Sequence, residues 1–165
     1  MNTDKKGTTS VRYLTTAAII AALYVILTLL SAALGIASGV IQVRLSEALT
    51  VLPFFTPAAV PGVTIGCFLA NLLTGAPLPD IIFGTFASFL GVLGASFLRK
   101  YKYAVALPTI LSNAIIIPLV LQYAYGVPDA FWYLMLTVGI GECISAGLLG
   151  FLLLHILQKH RFFLQ

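Results

Sequence analysis

Two carboxylates sit where an apolar chain has little use for charge. Glu47 lies in Gln42-Val43-Arg44-Leu45-Ser46-Glu47-Ala48-Leu49-Thr50-Val51, and Glu142 lies in Leu136-Thr137-Val138-Gly139-Ile140-Gly141-Glu142-Cys143-Ile144. An ionisable side chain inside a membrane-type run is costly to dehydrate and marks a functional site with a partner to be found. The chemistry on offer is acceptance. One carboxylate takes two neighbouring N–H donors at once, and charge-assisted bonds of this kind are strong. Arg44, Asn71, Asp80, Asn113 and Gln122 complete the polar set within the apolar stretches. Arg44 and Glu47 are three residues apart, which permits a simple mutual pair. No Lys or Arg occurs between Lys102 and Lys159, so Glu142 either binds a ligand or reaches Arg44 from a distant segment.

Other chemistries are not written in the chain. It has no G-x-x-x-x-G-K-[ST] phosphate loop, no nucleophile–base constellation and no metal-binding cluster. No catalytic, metal or cofactor role is therefore expected, and active transport would need energy from another polypeptide or an ion gradient. Cys67 and Cys143 form no CxxC pair and read as small buried hydrophobes.

The elements that must position these groups are membrane helices. The 165 residues are 60% hydrophobic and 8% charged, with mean hydropathy +1.05; soluble domains carry about 25% charge. No repeat stands out, and residues 1–165 read as a single integral membrane domain. A span needs about 20 apolar residues. The apolar runs predict an all-α bundle of six helices over residues 11–33, 45–55, 58–74, 80–98, 103–125 and 130–157. The second is too short to cross a full hydrocarbon core. A Gly/Ser stretch (35–39) and turns rich in Pro and Gly separate them. The first run is too long for a signal-peptide core and reads as a helix. The net charge of +4 reflects topology rather than nucleic-acid binding. Lys5, Lys6 and Arg12, then Arg99, Lys100 and Lys102, then Lys159 and Arg161, fall on one face of a six-span chain, which is therefore cytoplasmic with both termini.

That arrangement places Arg44, Glu47, Asn71, Asp80 and Gln122 near the outer helix ends and Asn113 and Glu142 near the middle of theirs. The pattern describes a cup opening outward, not a pore. Helical spacing aligns Thr64, Cys67, Asn71 and Thr74 on one stripe, and Asp80, Gly84, Ala87, Ser88 and Gly91 on another. Glu142 shares a face with Phe131, Met135, Val138 and Gly139. Trp132 and Tyr133 suit an interfacial position, as do His155 and His160 at the other end. In the opposite half of the first helix, Ala17/Ala21 and Ala18/Ala22 are small-xxx-small pairs that let another helix approach closely. A pocket at one end and a docking patch at the other suggest a binding subunit driven by a partner.

The block Arg44-Leu45-Ser46-Glu47-Ala48-Leu49-Thr50-Val51-Leu52-Pro53 resembles the signature of the QueT family, substrate-binding (S) components of energy-coupling factor (ECF) transporters. Gly66-Cys67-Phe68-Leu69-Ala70-Asn71-Leu72-Leu73, and Phe131-Trp132 followed by Gly139-Ile140-Gly141-Glu142, resemble it too. The likeness runs from about Tyr13 to Leu157. It implies the six-helix S-component bundle in a bacterial cell membrane. It also implies a coupling subunit, EcfT, with two cytoplasmic ATPases as partners, and Ala17, Ala18, Ala21 and Ala22 as the motif that meets EcfT. The loop between the first two helices would be the gate, a queuosine precursor or related 7-deazaguanine the substrate, and ATP-driven toppling in the bilayer the mechanism. For such a base, Glu142 or Glu47 would accept the N1–H and exocyclic amine. The other carboxylate, or Asp80, would meet an aminomethyl cation, Asn71 and Asn113 would reach O6 and the ring nitrogens, and Phe131, Trp132, Tyr24 or Phe68 would stack on the ring. The rival expectation is a stand-alone secondary transporter of a small polar heterocycle or vitamin, coupled to protons through Glu47 or Glu142.

Overall fold

A computed structural model describes residues 3–37 and 41–159, with side chains from Ser10 onward. The side chains of Lys5 and Lys6, together with His160, Arg161 and part of the Gly/Ser stretch, lie outside what is described. The described chain is all-helical: α1 (Thr3–Ala33), a 3-10 helix (Leu45–Phe54), α2 (Ala59–Leu73), α3 (Asp80–Phe97), α4 (Leu107–Tyr123) and α5 (Phe131–Lys159). α1 begins ahead of the expected residue 11. α4 begins at Leu107 rather than 103, because residues 102–106 form turns and Pro108 belongs in a first helical turn. α3 opens with a π segment at Asp80–Gly84, and α5 carries one at Cys143–Leu149, immediately after Glu142. π segments are rare and frequent at functional sites.

Three helices are long and apolar enough to cross a membrane: α1 from Ser10, α3 and α5. The surface confirms the composition, since apolar side chains such as Leu14, Ile26 and Leu136 face outward while Thr28, Ser46, Glu47, Thr50, Asn71, Asn113 and Ser145 are buried. Water would not tolerate that inversion; lipid requires it. Cys67 is buried as expected, but Cys143 is exposed, because its turn of α5 points away from the bundle.

The 3-10 helix is the central pillar. It contributes Leu49 to one core cluster, with Ile20, Tyr24, Val63, Cys67 and Val92, and Val51 to a second, with Ala95, Val105, Ala106 and Leu154. A 3-10 run of ten residues is unusual, since its hydrogen bonds are poorer than those of an α-helix. Here outside partners support it. Tyr24 Oη donates to Glu47 Oε1, Thr28 Oγ1 donates to Ser46 Oγ at 2.8 Å, and Leu45 N donates to Ser31 Oγ at 2.9 Å. Tyr24, Thr28 and Ser31 lie on one face of α1, so the 3-10 helix hangs antiparallel along that helix. α2 then runs parallel to α1, with Gly62 and Gly66 against Ala17, Ile20, Ala21 and Tyr24. A methyl at Gly66 would stand 2.7 Å from Tyr24 Cβ.

The chain reverses at each later connection. Lys102 Nζ donates to Gln158 Oε1 at 2.7 Å, which joins the α3–α4 turn to the end of α5. Arg12, Arg99, Lys100, Lys102 and Lys159 therefore share one end of the bundle, and Asp80 and Asp129 lie at the other.

Candidate functional site

Between α1 and the 3-10 helix, residues 41–44 form a short strap. Val43 N donates to Ile36 O at 2.8 Å, and Arg44 N donates to Ser145 Oγ on α5 at 3.0 Å. Gln42 lies directly on Gly141: a methyl there would be 2.1 Å from Gln42 O. The strap thus roofs a cavity lined by Gln42 and Arg44, Glu47 of the 3-10 helix, Gly84 and Ser88 of α3, Asn113 and Ile117 of α4, and Val138 and Glu142 of α5. Its volume is about 30 Å³, room for about two water molecules.

Four buried side-chain oxygens lack a hydrogen-bond partner among the described residues: Glu47 Oε2, Glu142 Oε2, Thr85 Oγ1 and Thr109 Oγ1. Two of the four belong to the carboxylates of Glu47 and Glu142, both of which line this one cavity. Buried polar groups are nearly always satisfied, and a missing partner on a charged group is costly. Arg44 acts electrostatically on both carboxylates yet closes on neither orphan oxygen, so the local Arg44–Glu47 pair that the spacing permits is not made there. Arg44 is extended at the start of the 3-10 helix, which takes it off the helical face that pairing needs. The Asn113 amide stands beside the Glu142 carboxylate. Ser88 Oγ lies 3.4 Å from Cys67 Sγ and lines the cavity.

Of the residues expected from sequence, Arg44, Glu47, Asn113 and Glu142 come together here. Asn71 is buried one step away; its Nδ2 donates to Asp80 O at 3.2 Å and to Cys67 Sγ at 3.6 Å, and so supports Ser88 through Cys67. Tyr24 is buried behind Glu47 and holds its Oε1 rather than lining the cavity. Phe68 faces outward from α2. Asp80 lies one turn beyond Gly84, and Phe131 two turns beyond Val138. Trp132 is 72% exposed and meets Phe131 edge-on, with ring centroids 5.4 Å apart. Gln42 and Ile117 were not singled out by sequence; neither type is unusual at a helix boundary or in an apolar run. Ser88 and Val138 did lie on the stripes read from helical spacing.

Ala17 and Ala21 are buried against α2, whereas Ala18 and Ala22 are exposed. Together with Tyr13, Leu14, Val25, Pro61, Ile65 and Leu69 they line an apolar groove of about 380 Å³. At the acidic end, the exposed Tyr125 has its phenol pushed up to about 12, by partial desolvation first and then by the nearby Asp80 carboxylate.

A bundle of apolar helices closed around a small, charged, incompletely satisfied cavity is the construction of a membrane protein that handles a polar small molecule. The comparison with known sequences is specific. The model of the QueT transporter family matches residues 14–159, and the chain belongs to that family, a family of membrane transporters rather than enzymes. It is 38% identical over 87 residues to the queuosine precursor transporter QueT of Lactococcus lactis subsp. cremoris (strain MG1363). That match covers 53% of this chain, and the chain spans about half the length of the curated relative, 52%. No solved structure matches the chain.

Proposed function

We propose that this chain is the substrate-binding subunit of an ECF importer and captures a 7-deazaguanine queuosine precursor from outside the cell. The observation that carries this reading is that two carboxylates, each with an unpartnered oxygen, line one cavity. The name of the Lactococcus relative suggests the substrate class. A guanine-like edge presents N1–H and an exocyclic amine side by side, the complement of a carboxylate. Glu142 or Glu47 accepts that edge. Asn113, Ser88, Gln42 and Arg44 meet the O6 and ring-nitrogen side, and Ile117 and Val138 supply apolar walls. Asn71 acts through Cys67 and Ser88. Asp80, Phe131 and Trp132 lie on the approach at the acidic end, Phe68 faces outward, and Tyr24 works from behind Glu47.

The bundle is then of the six-helix S-component type. Its basic end is cytoplasmic, as the clustering of Arg12, Arg99, Lys100, Lys102 and Lys159 suggests, and both termini lie on that side. The groove along Ala17, Ala18, Ala21 and Ala22 receives EcfT. Two cytoplasmic ATPases hydrolyse ATP, and the subunit topples in the bilayer to deliver its cargo. Calorimetry in nanodiscs with 7-deazaguanines, guanine, riboflavin and thiamine tests the substrate; tighter binding of riboflavin or thiamine would sink it. Glu142→Gln with near-normal affinity would remove that residue from the site. Purification from native membranes tests the partners, which should accompany the chain.

A second reading has one observation in its favour. Two carboxylates in one cavity, Glu47 buried and Glu142 half-buried, are the equipment of a proton-coupled carrier. Uptake that survives deletion of the ATPases and collapses with the proton gradient would establish it instead.

A further inference from the structure

We infer that the two carboxylates divide the work: Glu142 takes the two-donor edge of the heterocycle, and Glu47, aimed by Tyr24 as a positioning residue, takes a single donor. This rests on the reading of the cavity as a heterocycle site. A side-by-side pair of donors needs both oxygens of one carboxylate. Glu47 has committed Oε1 to the Tyr24 hydroxyl, which lies outside the cavity and is almost fully buried. Each carboxylate has one oxygen without a partner, Glu47 Oε2 and Glu142 Oε2; what differs is where the group holding the other oxygen sits.

The commitment is rigid. Gly66 backs directly onto Tyr24 Cβ, so α2 fixes the ring. The neighbouring bonds from Thr28 to Ser46 and from Leu45 N to Ser31 prevent the 3-10 helix from sliding along α1. Glu47 can therefore neither turn nor retreat to present both oxygens. Glu142 has no such clamp. The donors set near its carboxylate, Asn113 and Arg44, both line the cavity and can turn to a ligand.

The test is calorimetry with two ligands: a 7-deazaguanine, and the same ring lacking the exocyclic amine. Wild type is expected to prefer the amine-bearing ring by about tenfold or more, since a hydrogen bond to a charged group is at stake. Glu142→Gln replaces one acceptor by a donor and is expected to bring the preference to within about threefold of unity. Tyr24→Phe is expected to weaken both ligands by the same factor, about five- to tenfold, with the preference and the binding stoichiometry unchanged. A merely structural defect would lower the stoichiometry instead. Glu47→Gln, which keeps an acceptor for Tyr24, should likewise weaken both ligands without altering the preference. The inference is overturned if Glu142→Gln keeps the preference, if Tyr24→Phe or Glu47→Gln erases it, or if Tyr24→Phe binds both ligands as wild type does. Wild type binding neither ring would overturn the heterocycle reading itself, and this inference with it.

Discussion

Gly141→Ala adds one methyl where the strap has no room for it. The new Cβ would lie 2.1 Å from Gln42 O and 3.1 Å from Gln42 C. Ordinary carbon–oxygen contacts begin near about 3.3 Å, so the two backbones must separate by roughly 1.2 Å. Neither atom belongs to a flexible side chain, and Gly141 is buried in α5, so the strap is the part that moves. A displacement of that size breaks the 3.0 Å bond from Arg44 N to Ser145 Oγ, at about 1 kcal/mol, on top of about 1–3 kcal/mol for overpacking. Gln42 and Arg44 then leave the cavity. Under the proposed function the ligand loses one hydrogen bond to a charged group, about 1.5–3 kcal/mol, a tenfold to hundredfold weaker Kd. Calorimetry reads the affinity, and limited trypsin digestion reads whether Arg44 has become cleavable. Ser145→Ala is the milder companion, expected to lose the bond without displacing the strap. A Gly141→Ala protein with wild-type affinity and a strap still protected from trypsin would refute the reasoning.

Gly66→Ala is expected to push α1 from α2 through Tyr24 Cβ and Ala21, lowering stability by about 1–3 kcal/mol and weakening ligand binding as Tyr24 shifts; an unchanged melting temperature would contradict the close approach. Trp132 is the single tryptophan of the chain and lies outside the cavity. Its fluorescence is expected to stay unshifted on ligand addition, and Trp132→Ala to change affinity less than twofold. A stacked ring would instead cost about 1–3 kcal/mol on truncation. Tyr125, with its phenol pushed up to about 12 by partial desolvation and Asp80, stays neutral in the fold after an unfolded tyrosine would have ionised at about 10. Its contribution to stability is therefore complete below about pH 10 and is lost as pH rises through about 12. Tyr125→Phe should remove that alkaline loss from a thermal-melt series, and an identical pH profile would argue against it.

The candidate site was legible to the extent that it depended on charge. Glu47 and Glu142 announced themselves because a carboxylate in an apolar run has few innocuous explanations, and Asn113 stood out for similar reasons. Tyr24 did not reveal its task. An aromatic ring in a membrane helix reads as a wall or a stacking surface, and its hydroxyl partner depends on how the 3-10 helix registers against α1, a contact 23 residues distant. Gln42 was unremarkable as a residue type; its place in the site follows from the bare backbone of Gly141, two segments away. The six apolar segments followed from run length and Pro/Gly punctuation. The departures within them, the long 3-10 run and the π segments that begin at Asp80 and just after Glu142, did not. Each keeps an apolar pattern while changing the residues per turn, and hydropathy is blind to that difference.

Under the proposed function, a cavity with room for about two waters must widen before a bicyclic base can enter, and its walls are not equally fastened. The 3-10 helix is tied to α1 by three side-chain hydrogen bonds and anchored in both core clusters by Leu49 and Val51. Moving it would expose apolar surface as well as break bonds. α3 and α4 are locked where Gly91 and Gly94 meet Thr109 and Pro108, with no slack for a methyl. The strap rests on α5 through the bond to Ser145 and the contact at Gly141, and is tied back to Ile36 by one backbone bond. With each bond worth about 1 kcal/mol, it is the wall that yields first. It also carries Gln42 and Arg44, so the same movement that admits a ligand withdraws two of the polar groups that would hold it. Reclosure then restores those contacts around the occupant. The unpartnered oxygens of Glu47 and Glu142 make an occupied cavity favour the closed strap more than an empty one does.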